Sequence, residues 1–235
     1  MSTVINIDQR EIAKFDALAA RWWDLEGDFK PLHEINPLRA NWIDQYSPVV
    51  GKKLLDVGCG GGILAEAMAQ RGASVTGIDM AEAALNVAEL HKLESGLDVD
   101  YRLSTAEGLA DTSPETYDIV CCLEMLEQVP NPDRVVAACA DLAKPGADLY
   151  FSTINRNPKS FLFAIVGAER ILRLLPAGTH EYEMLIRPSE LGSWLRAAGL
   201  RMERMTGLSY NPISKRYRLI EDDVSVNYMV HATKL

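Results

Sequence analysis

Apolar residues along the middle of the chain alternate between two spacings. Short runs of four to seven residues predict strands at 53–57, 74–78, 99–103, 117–122 and 148–152. Between them, apolar residues recur every three or four positions and predict helices at 62–71, 81–95 and 131–143. This alternation is typical of a parallel sheet with helices on both faces. Ligands of such sheets bind at the carboxyl ends of the strands.

The two ends of the chain add elements to this α/β core. At the amino end, the pattern predicts a helix over 8–25 capped by Asp8, then a loop containing Pro31 and Pro37, then a short helix. At the carboxyl end, it predicts a helix over 189–198 and strands near 200–206 and 225–232. We therefore expect a seven-stranded, mostly parallel sheet.

Residues 156–180 interrupt this rhythm with one predicted helix of roughly 18 residues, too short to span a bilayer. An apolar run from Phe161 to Ala168 is flanked by Arg156 and Lys159 before it and by Arg170 and Arg173 after it. That composition favours a helix lying in a membrane interface, or a lid or dimer helix burying the same face against protein. We expect four parts of one domain: an amino-terminal cover (1–50), a core (51–155), a helical insertion (156–187) and a carboxyl-terminal part (188–235).

Composition narrows the function classes. The 235 residues are 48% hydrophobic and carry a formal net charge of −9, which supports a real core and disfavours nucleic acid as a partner. The four cysteines form no C-x-x-C pair, so neither a zinc site nor a disulfide framework is indicated. The polar start lacks a secretory core, and no apolar run is long enough to cross a bilayer, so we expect a cytoplasmic protein.

A glycine-rich loop follows the first core strand and carries the clearest sign of a ligand. Asp56 is followed by Gly58, Gly60 and Gly62, and a second acid, Asp79, ends the next strand. A dinucleotide fingerprint needs a glycine three positions after Gly60, where this chain has isoleucine. The spacing instead resembles the nucleoside-binding loop of class I S-adenosylmethionine (SAM) methyltransferases. Asp79 would then accept the ribose hydroxyls.

A second group of polar residues follows the fourth strand. Glu124, Glu127 and Gln128 share one face if the segment turns helically, and their oxygens would suit Mg²⁺. The same residues also fit an acidic helix start that is favoured by the helix dipole.

Blocks of sequence along nearly the whole chain carry a closer resemblance. They include Arg21-Trp22-Trp23-Asp24, Asn36-Pro37-Leu38-Arg39, Glu124-Met125-Leu126-Glu127, Asn155-Arg156-Asn157 and Asn227-Tyr228-Met229. These blocks resemble the ubiquinone-biosynthesis O-methyltransferase family, which has a Rossmann-like class I methyltransferase fold. The resemblance implies SAM-dependent O-methylation of a polyprenyl hydroxyphenol (a catechol) and of demethylubiquinol.

The resemblance also assigns residues. It places Arg39, Gly58, Asp79 and Leu123 on SAM-contacting positions, and Asp56 and Gly60 belong to the same loop. Glu124, Glu127 and Gln128 fall on positions that bind a divalent metal in relatives, where His usually stands in place of Gln128. An amide oxygen is still acceptable to Mg²⁺.

Three further expectations concern catalysis and partners. Without a metal, Glu127 or a histidine, His33 or His180, would be the base that takes the phenol proton. The prenyl tail implies peripheral attachment to the inner face of an anionic membrane through 156–176, and contact with other ubiquinone-biosynthesis proteins stays open. The alternatives are an NAD-dependent oxidoreductase, another small-molecule O-methyltransferase and a non-catalytic SAM-binding subunit.

Overall fold

A computed structural model describes residues 6–161, 182–211 and 213–235. In this part of the chain, eight strands form one sheet in the order β3-β2-β1-β4-β5-β8-β6-β7. The strands are β1 Lys53–Val57, β2 Ser74–Asp79, β3 Val99–Leu103, β4 Tyr117–Leu123, β5 Ala143–Ile154, β6 Leu200–Asn211, β7 Arg216–Ile220 and β8 Asn227–Lys234. β1 to β5 run parallel, and β8, β6 and β7 add antiparallel pairs. The predicted α/β fold is confirmed, with one strand more than expected.

Eight helices accompany these strands in the described residues. They are α1 Gln9–Leu18, α2 Lys30–Tyr46, α3 Ile63–Gln70, α4 Glu82–Ser95, α5 Ala106–Ala110, α6 Pro132–Leu142, α7 Pro158–Phe161 and α8 Pro188–Ala197. No helix of the described ranges is long and apolar enough to cross a membrane. The predicted helix over 156–180 falls mostly on 162–181, outside the described residues.

Three predictions of secondary structure are wrong. The expected loop around Pro31 and Pro37 is helical, because Pro31 lies in the first turn of α2, where no backbone N–H is needed. Pro37 removes one further backbone bond inside α2, and burial of the face that carries Trp42 and Ile43 compensates for it. The expected helix over 8–25 stops at Leu18 and continues as a short 3₁₀ turn. The strand β7 was missed, although its residues alternate in polarity.

The core is built on both faces of the central strands. Leu54 and Leu55 are both fully buried, and as neighbours on a strand they point to opposite faces. Leu54 belongs to the cluster beneath α2 and α3, and Leu55 to the cluster beneath α6 and α8. The continuous apolar run that predicted β1 therefore reflects a strand covered on two sides.

Both ends of the segment 162–181 are fixed to the same part of the sheet. The backbone N–H of Ile186 donates to the carbonyl of Ile154, at the end of β5, at 3.0 Å. The guanidinium of Arg156 donates to the carbonyl of Glu183 at 2.9 Å and also pairs with Glu190. The chain therefore leaves and rejoins the sheet at neighbouring points.

Candidate active site

A cavity of about 830 Å³ lies at the carboxyl ends of β1, β2, β4 and β5. This volume is within the range of roughly 300–1,000 Å³ that is typical of small-molecule sites. The structure brings all the site residues predicted from the sequence to its wall: Arg39, Asp56, Gly58, Gly60, Asp79, Leu123, Glu124, Glu127 and Gln128.

The loop between β1 and α3 turns through its alternating glycines. Gly58, Gly60 and Gly62 have φ angles of 74°, 52° and 88°, which residues with a side chain rarely adopt. The backbone N–H groups of Gly58 and Cys59 both donate to the carbonyl of Ile78, at 2.8 and 3.0 Å. These bonds hold the loop against the end of β2, beside Asp79.

Trp22 covers the outer side of this loop. A Cβ added at Gly60 or Gly61 would lie 2.2 or 2.3 Å from the indole ring, so a larger residue at either position would displace the tryptophan. Trp22 is 6% exposed and stacks on Phe29 with the ring centroids 4.1 Å apart. Trp23 donates its indole N–H to the carbonyl of Gly61 at 2.9 Å. The absence of side chains at Gly60 and Gly61 therefore leaves room for the tryptophan ring as well as for a ligand.

Asp79 ends β2 with both carboxylate oxygens oriented by the backbone. One oxygen accepts from the N–H of Gly60 and the other from the N–H of Ala81, each at 2.8 Å. Burial raises the pKa of Asp79, and these two bonds lower it. Each oxygen can accept a further hydrogen bond, so the carboxylate suits two adjacent hydroxyl groups such as those of a ribose.

Asp56 lies deeper in the same region. It is 3% exposed, and its Oδ2 has no hydrogen-bond partner in the described part of the chain. Burial raises the pKa of Asp56 to about 7, and the nearby Asp79 adds to the increase. A buried acceptor beside the cavity fits a ligand that brings a donor.

Asn6 ties the start of the described chain to the cavity and was not predicted. Its Nδ2 donates to Oε1 of Glu107 at 2.9 Å and to the carbonyl of Asn131 at 2.8 Å. Its Oδ1 accepts from the backbone N–H of Asn131 at 2.9 Å. The partners are 101 and 125 positions away, so no local pattern could indicate them.

Glu124 is the centre of a charged cluster at the end of β4. Its Oε1 accepts hydrogen bonds from the guanidinium of Arg39, from the hydroxyl of Ser152 at 2.8 Å and from the amide of Asn227 at 2.9 Å. Arg39 is only 5% exposed, so little water shields this ion pair. Arg39 therefore lies at the cavity wall and binds the carboxylate of Glu124 directly.

Glu127 lies beside this cluster. Its Oε2 accepts from the hydroxyl of Thr153 at 2.7 Å, and its Oε1 is buried without a partner among the described residues. Burial raises the pKa of Glu127 to about 8, and the neighbouring Glu124 contributes to the increase. A carboxyl group with a raised pKa therefore lies beside the ion pair of Arg39 and Glu124 at the cavity.

The expected Mg²⁺ site at Glu124, Glu127 and Gln128 stays a prediction. Glu124 has a φ of 55° and precedes the 3₁₀ turn Leu126–Gln128, so the expectation that 124, 127 and 128 share one helical face is wrong. Glu124 is also paired with the guanidinium of Arg39.

Of the two histidines expected as alternative bases, the structure describes only His33. His33 lies in α2, with Nε2 2.8 Å from the carbonyl of Trp22, and does not line the cavity. It supports the position of Trp22. His180 lies outside the described residues.

A parallel sheet with a glycine loop after β1 and an acid at the end of β2 defines a class I SAM-dependent methyltransferase. A family model described as a methyltransferase domain matches residues 32–204. The ubiquinone biosynthesis O-methyltransferase of Saccharophagus degradans is 64% identical over 231 residues, covering 98% of each chain. That of Stutzerimonas stutzeri is 63% identical over 229 residues, covering 97% of this chain and 98% of the relative. The chain belongs to the ubiquinone biosynthesis O-methyltransferase family.

Solved structures share the fold at low sequence identity. The magnesium protoporphyrin IX methyltransferase of Synechocystis PCC 6803 with bound SAH has a TM-score of 0.69 and 18% identity, and the match covers 96% of this chain and 100% of that one. A SAM-dependent methyltransferase from Aquifex aeolicus has a TM-score of 0.64 and 17% identity, with 95% and 98% covered. The methyl donor of this chain is SAM, so the NAD alternative does not apply.

Asp79→Ala should lower the affinity for SAM about tenfold or more. The ribose hydroxyls would lose their acceptor in a partly buried site, at a cost of about 1–3 kcal/mol. Titration calorimetry measures the change in Kd. Asp100→Ala removes an exposed acid on β3 and is the matched control. An unchanged Kd in a folded Asp79→Ala protein would remove Asp79 from the SAM site.

Proposed function

We propose that this chain methylates ring hydroxyls of two polyprenylated substrates, a polyprenyl hydroxyphenol with adjacent hydroxyls and demethylubiquinol. The observation that carries the proposal is the pair Glu124 and Glu127 at the wall of the SAM cavity. Glu124 is paired with Arg39, and Glu127 beside it carries a carboxyl group whose pKa is about 8. The relatives' shared name supports the same reaction class.

The reaction is an in-line displacement at the methyl carbon. The phenol oxygen forms a bond to this carbon while the bond from carbon to the sulfonium sulfur breaks, leaving a neutral thioether. The phenol proton passes to Glu127, the cavity residue closest to the needed basicity. A phenol of pKa about 10 and a base of pKa about 8 are matched closely enough for proton transfer during the reaction. Alignment of the two reactants in one cavity supplies much of the remaining acceleration.

The wall near β6, β7 and β8 suits the apolar part of such substrates. Ile154, Leu208, Tyr210, Tyr217 and Val226 line the cavity there, and the two tyrosine rings lie 4.8 Å apart. Lys159 also lines the cavity and donates to the hydroxyl of Ser225 at 2.6 Å. The insertion predicted from the sequence therefore begins at the rim of this apolar wall.

A methylation assay tests the proposed reaction. Purified protein is incubated with tritium-labelled SAM and a short-chain prenyl catechol, and the label is measured in the organic extract. We expect monomethyl ether formation that depends on the protein. SAM binding without any labelled ether would favour the non-catalytic alternative.

We also propose that residues 156–176 bring the cavity to an anionic membrane surface. The apolar run and its four flanking cations support this, as does the position of Lys159 at the cavity.

Wild-type protein should float with anionic liposomes at low salt, and salt, Phe161→Asp or Arg170→Glu should weaken the binding. Lys52→Glu changes an exposed cation just before β1, at the opposite edge of the sheet, and is the charge-matched control. Wild-type protein that stays with the soluble fraction at low salt would contradict the membrane proposal.

A further inference from the structure

Asn227 is the first residue of β8 and lies at the cavity wall, with no role assigned so far. Its backbone position is set by pairing with Ile154 on one side and Leu208 on the other. Its Nδ2 donates to Oε1 of Glu124 at 2.9 Å. Because a carboxylate can only accept, this bond fixes which end of the amide is the carbonyl.

The carbonyl end of Asn227 lacks a donor. Its Oδ1 is buried and has no hydrogen-bond partner in the residues that the structure describes. Of the other buried polar atoms without a partner in these residues, those of Tyr101, Thr206 and His231 belong to side chains away from the cavity, whereas Arg39 Nε, Asp56 Oδ2 and Glu127 Oε1 belong to residues that line it. A buried acceptor without a partner is unfavourable, so one located at a binding site indicates a donor on the ligand.

Two such acceptors flank the same carboxylate. Asn227 contacts Glu124 directly, and Glu127 is close enough for Glu124 to raise its pKa. The Oε1 of Glu127 is likewise buried without a partner among the described residues. The pair therefore offers acceptors for two neighbouring hydroxyl groups of one ring.

We propose that Asn227 Oδ1 accepts a hydrogen bond from the ring hydroxyl adjacent to the one that is methylated. Asn227 then favours rings with two neighbouring hydroxyls over rings with only one. The proposal rests on the proposed function, since it assigns the second oxygen of the same substrate. The adjacent hydroxyl keeps its proton throughout, while the reacting oxygen gives its proton to Glu127 and takes the methyl group.

The test compares a short-chain prenyl catechol with the matched monohydroxy phenol, using labelled SAM as the methyl donor. Asn227→Ala should raise KM for the catechol about tenfold, because one hydrogen bond of ordinary strength to the adjacent hydroxyl is lost. The same variant should leave KM for the monohydroxy phenol unchanged, since that substrate has no second hydroxyl to donate.

Ser152→Ala is the matched control, because it removes another donor to the same oxygen of Glu124. It should lower the rate with both substrates while keeping the wild-type ratio of their KM values. If Asn227→Ala does not fold, Asn227→Ser removes the same carbonyl with a smaller loss of volume and should give the same rise in KM for the catechol.

A folded Asn227 variant whose KM values for the catechol and for the monohydroxy phenol change by the same factor would overturn the proposal, since a purely structural role affects both substrates equally. If instead the proposed function is wrong, the wild-type protein itself would form no labelled ether from either substrate.

Discussion

Glu127→Gln should lower kcat about 10²- to 10⁴-fold, the range expected when a general base is removed. The amide keeps the volume of the side chain and can still accept from Thr153, but it cannot take the phenol proton. In wild-type protein, kcat should rise with pH through a midpoint near pH 8, since Glu127 must lose its own proton before it can act. The variant should lack this dependence.

The same substitution, which lowers kcat, should raise the free energy of unfolding at alkaline pH. The pKa of Glu127 is raised from 4.5 to about 8, so between these values the folded protein holds a proton that the unfolded chain has released. The free energy of unfolding of wild-type protein should therefore fall as pH rises from about 4.5 to about 8. Glu127→Gln has no such group and should be the more stable protein at pH 8–9.

Stopped assays across pH 6–9 and urea unfolding at the same pH values measure both effects. Asp148→Asn is the control, because Asp148 lies in the middle of β5, the strand that carries Thr153, and pairs with His231 away from Glu127. A Glu127→Gln protein with the wild-type rate and pH profile would show that another group takes the proton.

Arg39→Met should lower the free energy of unfolding by about 3 kcal/mol, the lower end of the range for breaking a buried ion pair. The lower end applies because the side chain of Glu124 is still 20% exposed. The methionine keeps most of the packing volume, so the loss reports the unpaired carboxylate. Urea unfolding at pH 7.5 measures it.

A double mutant separates the contribution of charge to the free energy of unfolding from the contribution of packing. Arg39→Met combined with Glu124→Gln removes both charges, and it should regain about half or more of the stability lost in Arg39→Met alone. No recovery in the double mutant would mean that the guanidinium acts through packing and not through its bond to Glu124.

Short sequence patterns predicted the residues at the centre of this site. The glycines at 58, 60 and 62 and the acid at 79 follow strands whose apolar runs are plain in the sequence. Since parallel strands end at one edge, their convergence follows from the fold class alone. The sequence therefore indicated the SAM-binding half of the cavity.

Long-range contacts could not be predicted in the same way. The bonds from Arg39 and Asn227 to Glu124 join positions 85 and 103 residues apart. The protonated state of Glu127 depends on burial, which a pattern of residue types does not fix. The helical face proposed for Glu124 failed because a single left-handed residue ends the strand there.

The bonds from Arg156 to Glu183 and Glu190, and from Ile186 to Ile154, have a consequence for how the enzyme can change. These bonds join residues on either side of the stretch 162–181. The length of that stretch therefore does not affect the register of the sheet. Doubling a closed loop costs only about 0.6 kcal/mol in chain entropy. A stretch of different length or composition could therefore be exchanged at these two junctions, as a cassette, while the methyl-transfer machinery keeps its geometry.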